Sequence, residues 1–344
     1  MHRRTFLSAS LGAGLIAGMP AFLAAQHRPA PGEMTRSDVP GTGFPVFTGA
    51  AIAFGTTISV RLLHHSADQA ERAIGSALGE AKRIDALMSL YRDDSQLSVL
   101  NRQGWLDRPN PHLLAVMREA RRLARLSGGA FDPTVQPLWT MHADAAKTGR
   151  RLAPQELAQA RRLVDWKNMQ VDAGRIALAM PGMAVTLNGI AQGYASDLAL
   201  AAIRAAGIKD ALLDIGEFSA LGNNASRRPW TLGVQNPRDP ELIVARLRLD
   251  GRSMATSGDY EATFTSDFSC HHIFDPATGH SPLELASVTV LAPTCMLADG
   301  LSTAMLVAGP QRSLALAADL DGVDVLLIGK DGTTWKTPGL SLSA

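Results

Sequence analysis

Cysteine is scarce in this chain: Cys270 and Cys295 are the only two among 344 residues. So few thiols exclude a disulfide-stapled scaffold, and neither lies in a cluster spaced for zinc. An exported chain could oxidise them to one bridge; two thiols in separate buried strands fit the pattern equally well. Aromatic residues make up 5% of the sequence, and the formal net charge is +1. With no basic stretch interleaved with aromatics, grounds are lacking for nucleic-acid binding or for adsorption to an anionic membrane. Serine-elbow, Walker and zinc-protease motifs are also missing from the sequence.

What is present begins at the N-terminus. Arg3 and Arg4 precede a weakly apolar run rich in Ala and Gly, broken by Pro20 and ending in small residues at Ala24–Ala25. This is the pattern of a twin-arginine export signal, so residues 1–25 are expected to be a signal peptide, cut after Ala25, and the periplasm is the expected location. Gly12–Ala17 (GAGLIA) matches a dinucleotide fingerprint, but no strand precedes it and it falls inside the signal. Residues 26–43 are rich in Pro, Gly and Ser and read as a linker. Residues 44–344 then form one expected domain, in a chain whose 46% hydrophobic content supports a large core.

Within that domain, apolar positions Ala70, Ile74, Ala77, Leu78, Ala81 and Ile84 keep helical spacing and predict a helix over Ser66–Leu87. Further helices are expected in QLSVLN, capped by Asp94 or Ser95, and in NPHLLAVMREARRLARL, closed by Gly128–Gly129. Others are expected over Pro154–Leu163, from TLNGIAQGYASD to about Ala206, over Cys295–Val307 and over Arg312–Asp319. Short strand-like runs lie between them: AIAFGTTISVRLL, MQVDAG, RIALAM, AVTL, ALLDIG, WTLGVQ, HHIFD, LASVTVLAP and VDVLLIG. The expected class is α+β, mainly antiparallel sheets flanked by helices.

Five stretches carry residues capable of chemistry. Asp299 and Thr303 are four apart, so a helix puts both oxygens on one face, a donor pair suited to a hydrated magnesium ion. The plainer alternative is an Asp favouring the helix dipole and a Thr facing solvent. In TLNGIAQGYASD, Gly189 lets the backbone approach a phosphate at a helix start and Gln192 reaches out of the first turn, or else Gly193 merely allows tight helix packing. In SGGAFDPTV, exposed backbone and Asp132 could meet a ring N–H or a ribose hydroxyl; alternatively Asp132 is a turn residue held extended by Pro133. In HHIFDPATGH, His271 and His272 point to opposite faces of a strand, which favours one inward general base over a metal cluster. Tyr91 offers a ring to stack on a flat heterocycle, or else a half-buried core tyrosine. Oxygen donors, one base and glycine turns together suit phosphoryl or nucleotidyl transfer.

Taken in order, FGTTISVRL, MSLYRDDSQLSVLN, GGAFDPTVQPLW, TLNGIAQGYASD, ATSGDYE, HHIFDPATG and SVTVLAPTCMLADGLSTAMLVAG resemble the ApbE family of FAD:protein FMN transferases, over about Phe54–Gly309. The resemblance implies flavin contacts at Phe54, Tyr91, Ala130, Phe131, Asp132, Thr186 and Gln192. It implies magnesium ligands at Gly189, through its carbonyl, and at Asp299 and Thr303, with Ser302 adjacent, and a catalytic histidine at His272. It also implies Mg²⁺-dependent transfer of FMN from FAD to a threonine of an exported electron-transfer acceptor, releasing AMP. Two departures stand out. Thr186, Asn188 and Gln192 replace residues of a D-L-G-G-I-A-K-G pattern, and Glu217 stands where N-L-G-G-D-I has a Gly-Asp pair. This variant pattern is similar to the branch linked to nitrous oxide respiration, whose target is a membrane flavoprotein regulator. An FAD pyrophosphatase and a non-catalytic flavin carrier or assembly chaperone are the rival readings.

Overall fold

The computed structural model describes residues 29–39 and 43–342, so the expected signal over residues 1–25 lies outside the described residues. The first half comprises β1 (Met34–Ser37), β2 (Val46–Ala53), β3 (Thr56–Leu63), α1 (Ala67–Met88), α2 (Gln96–Gln103), β4 (Trp105–Asp107), α3 (Pro111–Leu126), α4 (Gln136–Thr148) and α5 (Pro154–Arg162). The second comprises β5 (Met169–Val171), β6 (Arg175–Leu178), α6 (Ala191–Ala205), β7 (Ala211–Asp214), β8 (Phe218–Leu221), β9 (Thr231–Asn236) and β10 (Asp239–Arg248). It closes with β11 (Ser253–Gly258), β12 (Leu285–Ala292), α7 (Cys295–Ala308), α8 (Pro310–Ala318), β13 (Asp324–Gly329) and β14 (Thr334–Lys336). The main sheet runs β1-β2-β3-β7-β8-β11-β12-β13-β14, with a β10-β9 ribbon and a small β4-β6-β5 sheet beside it. Every strand pair is antiparallel. The α+β expectation holds.

Strand alternation explains where the core sits. On β12 and β13, Val288, Val290, Ala292, Val325 and Leu327 join the large core under the helices. Leu291, Leu326 and Ile328, pointing the other way, join a second core beneath the β9–β10 ribbon. Both faces are covered, which is why LASVTVLA and DVLLIG are uninterrupted apolar runs. Helix α1 buries Ala70, Ala73, Ala77 and Ala81, packs closely on α6 and sets Ile74 and Leu78 against β2. A Cβ at Gly49 of β2 would stand 2.5 Å from Ile74 Cγ2. Ser66 caps the helix, its side chain accepting the Gln69 N–H.

Four expectations are corrected. Met34–Ser37, inside the stretch read as linker, forms β1 and pairs with β2. Helix α4 lies in a stretch for which no element was expected; Pro137 sits in its first turn, where a missing N–H costs nothing. AVTL is not a strand: the Asn101 side chain on α2 donates to the Val185 carbonyl (2.8 Å) and accepts its N–H (2.7 Å), while Thr186 N–H donates to the Pro133 carbonyl (2.8 Å). Its backbone is thus satisfied without a neighbouring strand. HHIFD forms a hairpin arm with a single bridge, Thr263 to His271, rather than a strand.

Candidate active site

The N-termini of α6 and α7 cap each other. Asp197 on α6 accepts the backbone N–H groups of Cys295 (2.7 Å) and Met296 (3.0 Å), which open α7. In return Asp299 on α7 accepts the Gly193 N–H (2.9 Å) in the first turn of α6. Each carboxylate therefore meets the positive end of the opposite helix. The exchange requires close contact: a Cβ at Gly193 would lie 2.4 Å from the Cys295 carbonyl oxygen. Gly193 is the packing glycine the sequence allowed for. The plainer reading of Asp299 fails in one respect, because this side chain is buried and serves another helix's terminus.

One turn further along α7, Thr303 comes up against the glycine bend. A Cβ at Gly189 would stand 2.8 Å from Thr303 Oγ1, so the bare backbone there makes a cradle beside the hydroxyl. Ser257 at the end of β11 joins them, 2.8 Å from Ser302 Oγ and 3.2 Å from Thr303 Oγ1. Ser302 also donates to the Asp299 carbonyl (2.9 Å). Gly189 and Thr303 thus meet beside Ser302, with Asp299 one turn back on α7. Ser257 is added from a strand 46 positions away in the chain, which spacing could not reveal.

Glu217 lies on the other side of this centre. Its carboxylate accepts the Thr256 N–H (3.2 Å). Burial, then the nearby Asp299 charge, push its pKa well above the usual carboxylate range. Burial likewise raises Asp299 to about 7 against the opposing pull of the Gly193 N–H. Two desolvated acids close enough to feel each other's charge favour their protonated forms, and a bound cation would reverse that preference. Gln192 rests on Gly216, where φ is +91° and a Cβ would sit 2.1 Å from its amide nitrogen.

The expected flavin contacts fall into two groups. Ala130, Phe131 and Asp132 are buried and adjoin Thr186 through its N–H bond to Pro133. Asp132 is extended, as Pro133 requires, and its carboxylate accepts from Thr134 N–H (2.8 Å), Thr134 Oγ1–H (2.6 Å) and Trp166 N–H (3.1 Å). Burial still lifts its pKa to about 6. Phe54 occupies the tight β2–β3 hairpin turn at φ +53°, and its N–H meets the Asp85 carboxylate, which Arg92 also influences. Tyr91, next to Arg92, is 81% exposed, which removes the core-tyrosine alternative and leaves its ring free to stack.

His272 sits on a hairpin arm whose partner arm is Ala262. The His272 N–H donates to the Ala262 carbonyl (2.9 Å), and Nδ1 lies 3.2 Å from the same oxygen. That carbonyl can only accept, so Nδ1 carries the proton and Nε2 is left as the basic nitrogen. Burial lowers the His272 pKa, which keeps the ring neutral. His271 is fully buried, pulled down to about 4 by burial, and its N–H donates to Ser281 Oγ (2.9 Å). Only one histidine faces outward. Cys270 and Cys295 are both free and have different partners, His142 Nδ1 at 3.6 Å and the Phe218 carbonyl at 3.8 Å, and neither lies in a strand.

Among the described residues no three His, Cys, Asp or Glu side chains converge as a metal-binding group. A single carboxylate with a hydroxyl and a carbonyl suits a hard ion that retains waters, so the donor set fits magnesium.

The chain as a whole is similar to known proteins. The ApbE family model matches residues 54–327. The FAD:protein FMN transferase of Haemophilus influenzae is 31% identical over 295 residues, covering 80% of this chain and 85% of that protein. The Salmonella typhimurium enzyme of the same name is 33% identical over 267 residues, covering 74% and 75%. Among solved structures, the flavin transferase ApbE from Vibrio cholerae superposes with a TM-score of 0.75 at 26% identity, covering 87% of this chain and 97% of that one. The apo flavinyl transferase ApbE from Pseudomonas stutzeri gives 0.74 at 29% identity, covering 86% and 95%. With its fold, its ordered motifs and four-fifths of its length accounted for in this way, the chain belongs to the ApbE family.

Proposed function

We propose that this chain is an FAD:protein FMN transferase that moves FMN from FAD to a threonine hydroxyl of an exported acceptor and releases AMP. The observation that carries the reading is the meeting of Gly189, Ser257, Asp299 and Thr303 at the start of α6. Magnesium held by the Asp299 carboxylate, the Thr303 hydroxyl and the Gly189 carbonyl, with Ser302 behind them, would neutralise charge on the FAD diphosphate. First-turn amides of α6 add the positive end of that helix. Phe54, Tyr91, Ala130, Phe131, Asp132, Thr186 and Gln192 would hold the rest of FAD. His272 Nε2 takes the acceptor threonine's proton, the threonine oxygen bonds to the FMN phosphorus, and the P–O bond to AMP breaks.

Arg3 and Arg4 support delivery to the periplasm by a twin-arginine route, and changing both to Lys should strand the precursor inside the cell. The acceptor is an extracytoplasmic electron-transfer flavoprotein; the membrane regulator of nitrous oxide respiration is the candidate favoured by the variant motifs. The enzymatic test uses FAD, Mg²⁺ and a threonine-bearing exported flavin domain prepared in apo form. Expected are one covalent flavin per acceptor, AMP in equal amount, and loss of both with EDTA or in His272→Ala. Free FMN and AMP produced equally well without acceptor would make the protein a pyrophosphatase instead. FAD bound but never cleaved would make it a carrier.

A further inference from the structure

The segment Ser257–Ala262 links the two halves of the site. Ser257 faces Thr303 at one end, and the Ala262 carbonyl holds His272 at the other. Between them is Asp259, fully buried, with its own N–H donated to the Ala286 carbonyl on β12 (2.9 Å). Its carboxylate receives both guanidinium nitrogens of Arg238, at 2.7 and 2.8 Å, and Lys330 Nζ lies 3.3 Å from its Oδ2. Neither cation stops there. The Arg238 guanidinium lies over the Phe268 ring, 4.1 Å from its centroid, and Lys330 Nζ donates to the Phe268 carbonyl (2.6 Å). Phe268 occupies the tip of the hairpin whose arms carry Ala262 and His272, and it holds a left-handed φ of +58°. A bulky side chain keeps that conformation only where its surroundings impose it.

We infer that Arg238, Asp259 and Lys330 form a clamp that seizes the hairpin tip at Phe268 and so positions His272 for proton transfer. The three charged residues come from the β9–β10 turn and from the positions just after β11 and β13, so three strand ends meet at the hairpin tip. A bidentate Arg–carboxylate pair fixes direction as well as distance, and the ring beneath the guanidinium transmits that direction to the hairpin. The clamp acts on His272 and touches neither the metal donors nor the expected flavin contacts, so loosening it should slow transfer while leaving FAD binding intact.

This inference rests on the reading of His272 as the base, and the experiment separates the two. Arg238→Ala, Phe268→Ala, Phe268→Tyr and His272→Ala are compared with the parent in the full-length protein. Transfer to the apo flavin domain, FAD affinity by flavin fluorescence, and amide exchange of residues 262–272 by mass spectrometry are measured. Arg238→Ala and Phe268→Ala should lower kcat about tenfold or more with FAD affinity within about twofold, because small misplacements of a reacting group are costly. Exchange across the hairpin should quicken in both variants, and Phe268→Tyr, which keeps the ring, should transfer at the parental rate. Should Arg238→Ala fail to fold, the Phe268 pair alone decides. Parental kcat in Phe268→Ala, unchanged hairpin exchange, or a fall in FAD affinity matching the fall in kcat would each overturn the clamp. If His272→Ala transfers normally, the base reading fails; if it is inactive while the clamp variants are not, only the clamp fails.

Discussion

At Gly216 the site depends on the absence of a side chain. Its φ of +91° disfavours any L-residue, and the space where a Cβ would go is filled by the Gln192 amide. Gly216→Ala should cost about 1–3 kcal/mol in backbone strain. It should also push Gln192 out of place, so a fluorescence titration should show weaker FAD binding together with a lower Tm. Unchanged affinity would remove Gln192 from the set of flavin contacts. Glu261 offers a second test at this scale. Burial raises its pKa to about 7, above the ordinary value of 4.5, so the folded state holds this proton more tightly than the unfolded chain does. The stability associated with the protonated group is fully present below pH 4.5 and is lost as pH rises through 7. Glu261→Gln mimics the protonated acid, so its Tm relative to the parent should climb between pH 4.5 and 8. His271, held near 4 by burial, drives the absolute curve the opposite way between 4 and 6.5, which is why the variant-minus-parent difference is the quantity to measure. A flat difference would contradict the burial of Glu261.

At the scale of elements, the loop that carries Gly189 owes its shape to α2. The Asn101 side chain satisfies both backbone groups of buried Val185, so Asn101→Ala leaves a buried N–H and C=O without a partner. Thermal melts should show a loss of about 2–4 kcal/mol, the cost of two orphaned polar groups. FAD affinity should fall with it, since Thr186 and Gly189 follow directly. This bond also shows where sequence reading reached its limit. Helix α1 was legible because its apolar positions keep helical spacing within one continuous stretch. AVTL was misread because its partner is a single amide 84 positions away. HHIFD has the composition of a strand, but its neighbours form a short hairpin rather than a sheet edge. Asp299 and Thr303 stood out through their four-residue spacing, whereas Ser257 and Glu217 join them only through tertiary packing, which no local pattern records.

Across the whole molecule, an antiparallel sheet buried on both faces delivers three separate chain segments to one point. Helix α7 brings a carboxylate and a hydroxyl, the bend before α6 brings bare backbone, and the end of β11 brings Ser257 and, beyond it, the clamp on the histidine hairpin. Reciprocal capping by Asp197 and Asp299 makes the junction of α6 and α7 at once a structural joint and the place where acidic side chains gather. On the proposed function, this joint binds FAD through a divalent ion. Calorimetric titration of FAD in Mg²⁺ and in EDTA, for the parent and for Asp299→Asn, tests it most directly. The parent should lose at least about tenfold in affinity when Mg²⁺ is removed, that is, about 1.4 kcal/mol or more, and Asp299→Asn should bind FAD equally weakly in either buffer. Equal FAD affinity of the parent with and without Mg²⁺ would contradict it.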